Sequence, residues 1–258
     1  MDGSATAAPG APDAATIARW RGELARASRV CVLTGAGMSA ESGIPTFRDA
    51  MSGLWSRFDP AELASEAGFR ADPARVWDWY AERRAGVRRA RPNPGHLALA
   101  DFAARRPGVL TLVTQNVDDL HQRAGQVDAI RLHGDIGADR WLDRCPRREP
   151  CDPSRAVPGR PPRCAECGNL LRPGVVWFGE MLRAGALDAA ERAAAACELM
   201  LVVGTSGAVW PAAGLASIAR DAGARVLIVN PQASEIDAVA HAVLRGTAAV
   251  VLPALLRA

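Results

Sequence analysis

The chain contains no lysine, so all 31 of its basic side chains are arginine. Biased codon usage in a GC-rich genome accounts for such a composition without reference to function. The formal net charge of +3 is too small to point to nucleic acid, and no direct nucleic-acid binding is expected. No apolar run reaches the length of a membrane span, and the N-terminus lacks the basic-then-apolar pattern of a secretion signal. A cytoplasmic chain with no membrane partner is therefore expected. No internal repeat is apparent. Disulfides are equally unexpected, because six cysteines in a reduced compartment point to metal instead. What is present suits a globular protein: 258 residues, 49% hydrophobic and 23% charged, with room for one large and one small domain.

Helical spacing over residues 14–28 leads into Arg29-Val-Cys-Val-Leu-Thr34, a short, branched, apolar run with the character of a buried parallel strand. Further strands are predicted at 109–113, 130–132, 199–203, 224–229 and 248–252, with a helix over 94–106. The middle four end in polar clusters, Thr114-Gln-Asn116, His133, Gly204-Thr-Ser206 and Asn230. Ligands of open α/β sheets bind at such strand ends. Residues 1–13, rich in Ala, Gly, Pro and Ser, read as a disordered leader. Residues 50–92, where Trp55, Phe58, Trp77, Trp79 and Tyr80 interleave with charges, read as a helical insertion. Residues 136–176 contain a proline- and arginine-rich block too polar to fold on its own apolar surface, and read as a metal-stapled insertion. The remaining segments, 14–49, 93–135 and 177–258, make a Rossmann-like parallel-sheet domain. The fold class is therefore α/β, with a smaller helical and metal-binding domain formed by the two insertions.

Gly35 and Gly37 permit a tight turn and a close backbone approach to a pyrophosphate, and Ala40 stands where the dinucleotide fingerprint has its third small residue. That fingerprint alone is weak. Gly43-Ile44-Pro45 then stops the helix early, where a plain dehydrogenase would run on, and Phe47-Arg48-Asp49 brings an aromatic and an ion pair. His133 lies at a strand end before Gly134, and a neutral imidazole near its ordinary pKa suits proton transfer at pH 7. His96, His121 and His241 have no comparable context and are assigned to helix packing or the surface. Asn116 and Asp118 also suit a helix cap and first turn. Cys31 and Cys197 lie in apolar and alanine-rich runs, as small core residues. Cys164-Ala-Glu-Cys167 is a C-x-x-C knuckle, and Cys145 with Cys151 supplies the other half of a four-thiolate zinc site. Five residues separate that second pair, a departure from the two-knuckle pattern.

The Gly35–Arg48 loop, Thr114-Gln-Asn-Val-Asp118, His133-Gly-Asp135, the four-cysteine module followed by Val175-Val-Trp-Phe-Gly-Glu180, and Gly204-Thr-Ser206 with Val229-Asn230 follow one another over residues 29–252. Together they resemble the sirtuin family of NAD-dependent protein deacylases, bacterial type. The resemblance implies that Gly35, Ala36, Gly37, Ser39, Ala40, Glu41, Ile44, Pro45, Phe47, Arg48, Trp55, Gln115, Asn116, Val117 and Asp118 hold NAD. Ala36, Ile44, Phe47 and Val117 would line the nicotinamide pocket, and Arg48 would contact phosphate. Gly204, Thr205, Ser206, Asn230, Pro231 and Gln232 would face adenosine, and Ala248 adenine, although Arg245-Gly-Thr-Ala248 matches the family poorly. His133 would be the general base. After the acyl oxygen attacks the ribose carbon and nicotinamide leaves, it would help deprotonate the ribose hydroxyl, giving 2′-O-acyl-ADP-ribose and free lysine. Val176, Trp177, Phe178, Gly179 and Glu180 would form an extended substrate strand that an acyl-lysine peptide joins by backbone pairing, with Trp177 and Phe178 flanking the lysine tunnel.

Tyr80 and Arg83 occupy one helical face at Tyr-x-x-Arg spacing, and the pair resembles the acidic-acyl clamp of the desuccinylase, class III branch. Arginine holds a carboxylate through two parallel hydrogen bonds, to which a tyrosine hydroxyl adds a third. An amphipathic helix with Tyr80 in the core and Arg83 in solvent would show the same spacing. The implied reaction is removal of succinyl or related acidic groups, and of acetyl, from lysine. Its cofactors would be NAD and zinc, its partners acyl-lysine proteins or peptides, and its state monomeric. A chain without lysine could not carry its own substrate internally. Protein mono-ADP-ribosylation and a non-catalytic NAD sensor are the rival readings.

Overall fold

The computed structural model describes residues 14–46, 59–144 and 151–257. Among these, six strands form one parallel sheet: β1 (Val30–Thr34), β2 (Leu110–Thr114), β3 (Ile130–Arg131), then, after a second sheet, β6 (Leu199–Val203), β7 (Arg225–Val229) and β8 (Ala242–Leu244). Their spatial order is β3-β2-β1-β6-β7-β8. The chain reverses direction across the sheet between β1 and β6, and a crevice opens there at the carboxyl ends of the strands. The other two strands, β4 (Gly134–Trp141) and β5 (Leu171–Val175), pair antiparallel as a ribbon with a register shift between Asp135 and Asp139.

Strand periodicity explains how the large sheet buries both faces. Val30 and Val32, with Leu199, Leu201 and Val203 of β6, pack on one side beneath the helices Ala14–Arg26, Pro94–Arg105 and Ala248–Leu256. Cys31 and Leu33, with Met200 and Val202, pack on the other beneath Ala184–Ala196 and Leu215–Asp221. Because successive side chains point to opposite faces, every residue of β1 and β6 is buried. Cys31 and Cys197 are core residues, as expected.

A third core joins the ribbon to the helices Pro60–Leu63, Glu66–Ala71 and Pro73–Arg89. It contains Leu63, Phe69, Val76, Trp79, Tyr80, Ile136, Val175 and Trp177. The helix Pro73–Arg89 starts in the expected way: Asp72 accepts the Arg75 N–H at 3.0 Å, and proline occupies the first turn.

Residues 248–252 are not a strand. They open the helix Ala248–Leu256, whose buried positions 248, 251, 252, 255 and 256 follow the three-and-four spacing of one helical face. The branched run Ala-Ala-Val-Val-Leu hides that spacing when read alone. The sixth sheet position goes to Ala242–Leu244 instead. No helix among the described residues is long and apolar enough to cross a membrane.

Candidate active site

Three glycines bring the ends of β1 and β6 into contact. A Cβ on Gly35 would meet the Gly204 carbonyl oxygen at 2.8 Å, one on Gly37 would meet the Gly204 Cα at 2.8 Å, and one on Gly204 would meet the Met38 nitrogen at 2.5 Å. Gly204 also has φ +62, a region that favours glycine. The fingerprint glycines therefore serve chain-to-chain approach as well as any approach to phosphate, and Gly37 N–H donates to Gly204 O at 2.8 Å. The short helix Gly37–Ala40 ends before Gly43 and Pro45, as the sequence indicated.

The segment after β2 is held by a closed set of hydrogen bonds. Thr34 Oγ1 donates to Thr114 Oγ1 at 2.8 Å, and Thr114 Oγ1 accepts the Asn116 N–H at 3.0 Å. Asn116 Nδ2 donates to Ser39 Oγ at 3.2 Å, and Ser39 Oγ donates to Asp118 Oδ2 at 2.9 Å. Asp118 Oδ1 accepts Leu120 N–H at 3.0 Å, so Asp118 does steady the first turn of Leu120–Arg123, whereas Asn116 does not cap it. Burial raises the Asp118 pKa, against the lowering effect of the Leu120 N–H and the Ser39 hydroxyl. Gln115 Nε2 reaches across the switch point to Thr205 Oγ1 at 3.1 Å, and Asn230 Nδ2 donates to Thr205 O at 3.0 Å. Gln115, Asn116, Asp118, Ser39, Gly204, Thr205 and Asn230 thus converge on one crevice.

Thr205 and Ser206 do not begin a helix. They cap a turn by accepting the N–H groups of Gly207 and Ala208, and the next α-helix starts at Leu215. Glu41 accepts the Ala249 N–H at 2.9 Å, which ties the glycine loop to the helix that begins at Ala248. Ala36, Ala40 and Pro45 are exposed near the crevice, and Ile44 and Val117 pack on the third core. Pro231 is half-buried and Gln232 exposed beyond β7. Phe47, Arg48, Trp55 and Cys145 lie outside the described residues.

His133 follows β3 and opens onto the ribbon. Its Nδ1 lies 2.9 Å from the Gln115 carbonyl oxygen, which can only accept, so Nδ1 carries the proton and Nε2 keeps a lone pair. Burial lowers its pKa, and the Gln115 carbonyl works in the opposite direction. The imidazole is neutral at pH 7 and able to take a proton. Gly134, at φ +84, is required next to it because a Cβ there would meet the Gly174 carbonyl oxygen at 2.3 Å. His96 and His121 are buried against each other, 4.8 Å between ring centroids, and His121 Nε2 lies 3.0 Å from Thr34 Oγ1. His241 is exposed. The packing and surface assignments hold for all three.

The run 175–180 is not one extended strand. β5 ends at Val175; Val176 N–H donates to His133 O and Phe178 N–H to Ala64 O, each at 2.8 Å. The chain then turns through Gly179 at φ +85, and Glu180 folds back to accept the Trp177 N–H at 2.9 Å. The Glu180 carboxylate also pairs with Arg172 and Arg140. Arg172 is fully buried, 3.2 Å above the Trp177 ring, and was not singled out from sequence; a lone charge inside Leu171-Arg-Pro-Gly-Val175 was the available signal. Phe178 is half exposed.

Tyr80 is buried, and its hydroxyl accepts the Trp177 indole N–H at 3.0 Å. Burial pushes its pKa up to about 12, so the phenol stays neutral. Arg83 is not in solvent: its Nε and Nη1 are enclosed without a hydrogen-bond partner, and its guanidinium sits 4.8 Å from the Trp79 ring centroid. Burial lowers the Arg83 pKa, opposed by Tyr80 and Asp118.

The thiols of Cys151, Cys164 and Cys167 lie within 4.8 Å of one another, with Cys151 and Cys167 sulfurs 3.9 Å apart. That spacing is far beyond a disulfide and close to the ~3.8 Å between sulfurs on one tetrahedral zinc. Gly168, at φ +73, closes the knuckle by donating to Cys164 O.

The model of the Sir2 family matches residues 35–211. A protein of Ralstonia nicotianae named NAD-dependent protein deacylase is 58% identical over 244 residues, covering 95% of this chain and 97% of that protein. Among solved structures, a Sir2 homolog–NAD complex superposes with a TM-score of 0.83 at 42% identity, over 93% of this chain and 92% of the other. A Sir2 protein bound to acetylated peptide superposes with a TM-score of 0.78 at 28% identity, over 92% and 95%.

Proposed function

Because this chain belongs to the Sir2 family and is an enzyme of the sirtuin class that uses NAD and zinc, we propose that it removes succinyl and related acidic acyl groups, along with acetyl, from protein lysine. The observation that carries the acidic-acyl reading is the enclosed Arg83 guanidinium, whose Nε and Nη1 have no partner while the Tyr80 hydroxyl lies on the same helical face. A buried, unpaired cation is costly, and a carboxylate brought in by the substrate relieves that cost. An acetyl group ends too early to do so.

The residues present fit NAD through the glycine-lined contact of the β1 and β6 ends and the polar groups gathered around it. When bound, NAD supplies an activated ribose carbon and a leaving nicotinamide. The chain's own part is to hold and to move protons. Ser39, Asn116 and Asp118 lock one another, so the side chains that meet ribose and carboxamide are placed before ligand arrives. His133, with Nδ1 anchored to the Gln115 carbonyl, presents Nε2 as the proton acceptor for the ribose hydroxyl. Zinc would be held by Cys151, Cys164 and Cys167 with Cys145 as fourth ligand, and its task is to brace the ribbon.

The test is a set of steady-state assays on one peptide bearing acetyl-, succinyl- or glutaryl-lysine, with and without NAD, for the wild type and Arg83→Met. The expected loss in kcat/KM for succinyl-lysine is about 2 to 4 kcal/mol, roughly 30- to 1,000-fold, with a far smaller change for acetyl-lysine. Equal losses on both substrates would make Arg83 a support of its helix and the protein a general deacetylase.

A further inference from the structure

The polarity of the Tyr80 hydroxyl is decided by Trp177. An indole nitrogen donates and cannot accept, so in the 3.0 Å contact the proton belongs to Trp177 Nε1 and the Tyr80 oxygen is the acceptor. The phenolic proton of Tyr80 is left over. Around it stand Arg83 and Arg172, which are donors only, and Glu180, whose oxygens are taken by Arg172, Arg140 and the Trp177 backbone N–H. Tyr80 has no recorded acceptor for that proton among the described residues. The indole itself has little freedom to move. Arg172 lies 3.2 Å above its ring and is held by Val175 O at 2.7 Å and by Glu180, while Phe69 packs with its centroid 5.2 Å away.

We propose that Trp177 is a specificity-determining positioning residue: by donating to the Tyr80 oxygen it turns the Tyr80 proton toward the acyl pocket, where together with the unpartnered Arg83 nitrogens it forms a donor-only clamp for a carboxylate. This inference rests on the acidic-acyl reading and goes beyond it, because it gives an indole that never touches the carboxylate a part in choosing the acyl group. It also explains why a buried arginine, Arg172, is retained beneath a tryptophan: the ion pair with Glu180 fixes the ring whose N–H does the orienting.

The experiment is a double-mutant cycle of Trp177→Phe and Tyr80→Phe, scored by the ratio of kcat/KM for succinyl-lysine to that for acetyl-lysine on the same peptide, with Arg83→Met run alongside. Trp177→Phe keeps an aromatic ring and deletes the donor, so the ratio is expected to fall about 3- to 10-fold, the scale of one hydrogen bond. In the Tyr80→Phe background the same change is expected to leave the ratio where Tyr80→Phe alone put it. An unchanged ratio in Trp177→Phe, or an equal further drop in the double variant, would overturn the proposal. If Arg83→Met spares the ratio, the acidic-acyl reading fails instead, so the two failures are distinguishable. Should Trp177→Phe not fold, the wild type still answers, because Tyr80 is the chain's one tyrosine. With tyrosine labelled at the ring carbon bearing oxygen, succinyl-lysine peptide should shift its single resonance well beyond the shift caused by acetyl-lysine peptide, and matching shifts would count against the clamp.

Discussion

On the sheet side of the cleft, polar side chains are matched within the protein: Ser39 with Asp118 and Asn116, Gln115 with Thr205, His133 Nδ1 with the Gln115 carbonyl. On the acyl side, Arg83 keeps two enclosed nitrogens unmatched and Tyr80 keeps a spare proton. The contrast separates two tasks. Matched networks cost nothing further when ligand arrives, so they serve placement, whereas an unmet donor set gains only when an anion fills it, so it serves discrimination. Sheet-side variants should therefore damage every substrate alike, and acyl-side variants should sort substrates.

The largest effect is expected from His133→Ala, which removes the proton acceptor: kcat should drop about 10²- to 10⁴-fold for acetyl- and succinyl-lysine alike, with NAD binding retained. A loss under about tenfold would take His133 out of that role. In the wild type, the burial-lowered pKa of His133 puts the acid limb of the rate below pH 6.5, because the base form is lost only as pH falls through that value. Next in size is the Arg83→Met loss on succinyl-lysine, the sharpest test of the acyl side.

Chelating the metal should come after these. It loosens the ribbon that carries Val175 and Trp177, so both substrates should lose activity, the circular dichroism of the large sheet should persist, and added zinc should restore turnover. Full activity in protein shown by metal analysis to be zinc-free would break the link between ribbon and pocket. Acid should then weaken the sheet side in particular. His96 and His121 are buried neutral, their pKa values lowered by burial to about 4 and about 3, while the unfolded chain protonates near 6.5. The unfolded state therefore binds more protons between these values, and stability present above pH 6.5 is lost as pH falls toward 4, by roughly 1 to 3 kcal/mol per pH unit for the pair. Denaturant melts at pH 7, 6 and 5 measure it, and an unchanged midpoint in the double His→Gln variant across that range isolates the pair. The smallest expected change is Tyr80→Phe, about 1 kcal/mol on succinyl-lysine with the ring kept.

Local patterns carried much of this into the sequence. Branched runs before polar clusters marked β1, β2, β6 and β7, since a parallel strand buried on both faces needs an unbroken apolar run. The same cue misread residues 248–252, where the deciding signal was spacing over nine residues and not branching. The run 175–180 read as extended because its composition is that of a strand, while Glu180 folding back to Trp177 is a contact no local pattern announces.

Residue identity by itself determined the chemistry on offer: imidazole at His133, thiols at Cys151, Cys164 and Cys167, a tyrosine and an arginine one helical turn apart. Tertiary structure decided what each group is free to do. Which imidazole nitrogen is free depends on a carbonyl 18 residues away, and which way the Tyr80 proton points depends on an indole 97 residues away. Hydrogen bonds act over about 3 Å in space regardless of separation along the chain, so a group's partners, and with them its reactivity, exist only after the sheet, the ribbon and the helices have been brought together.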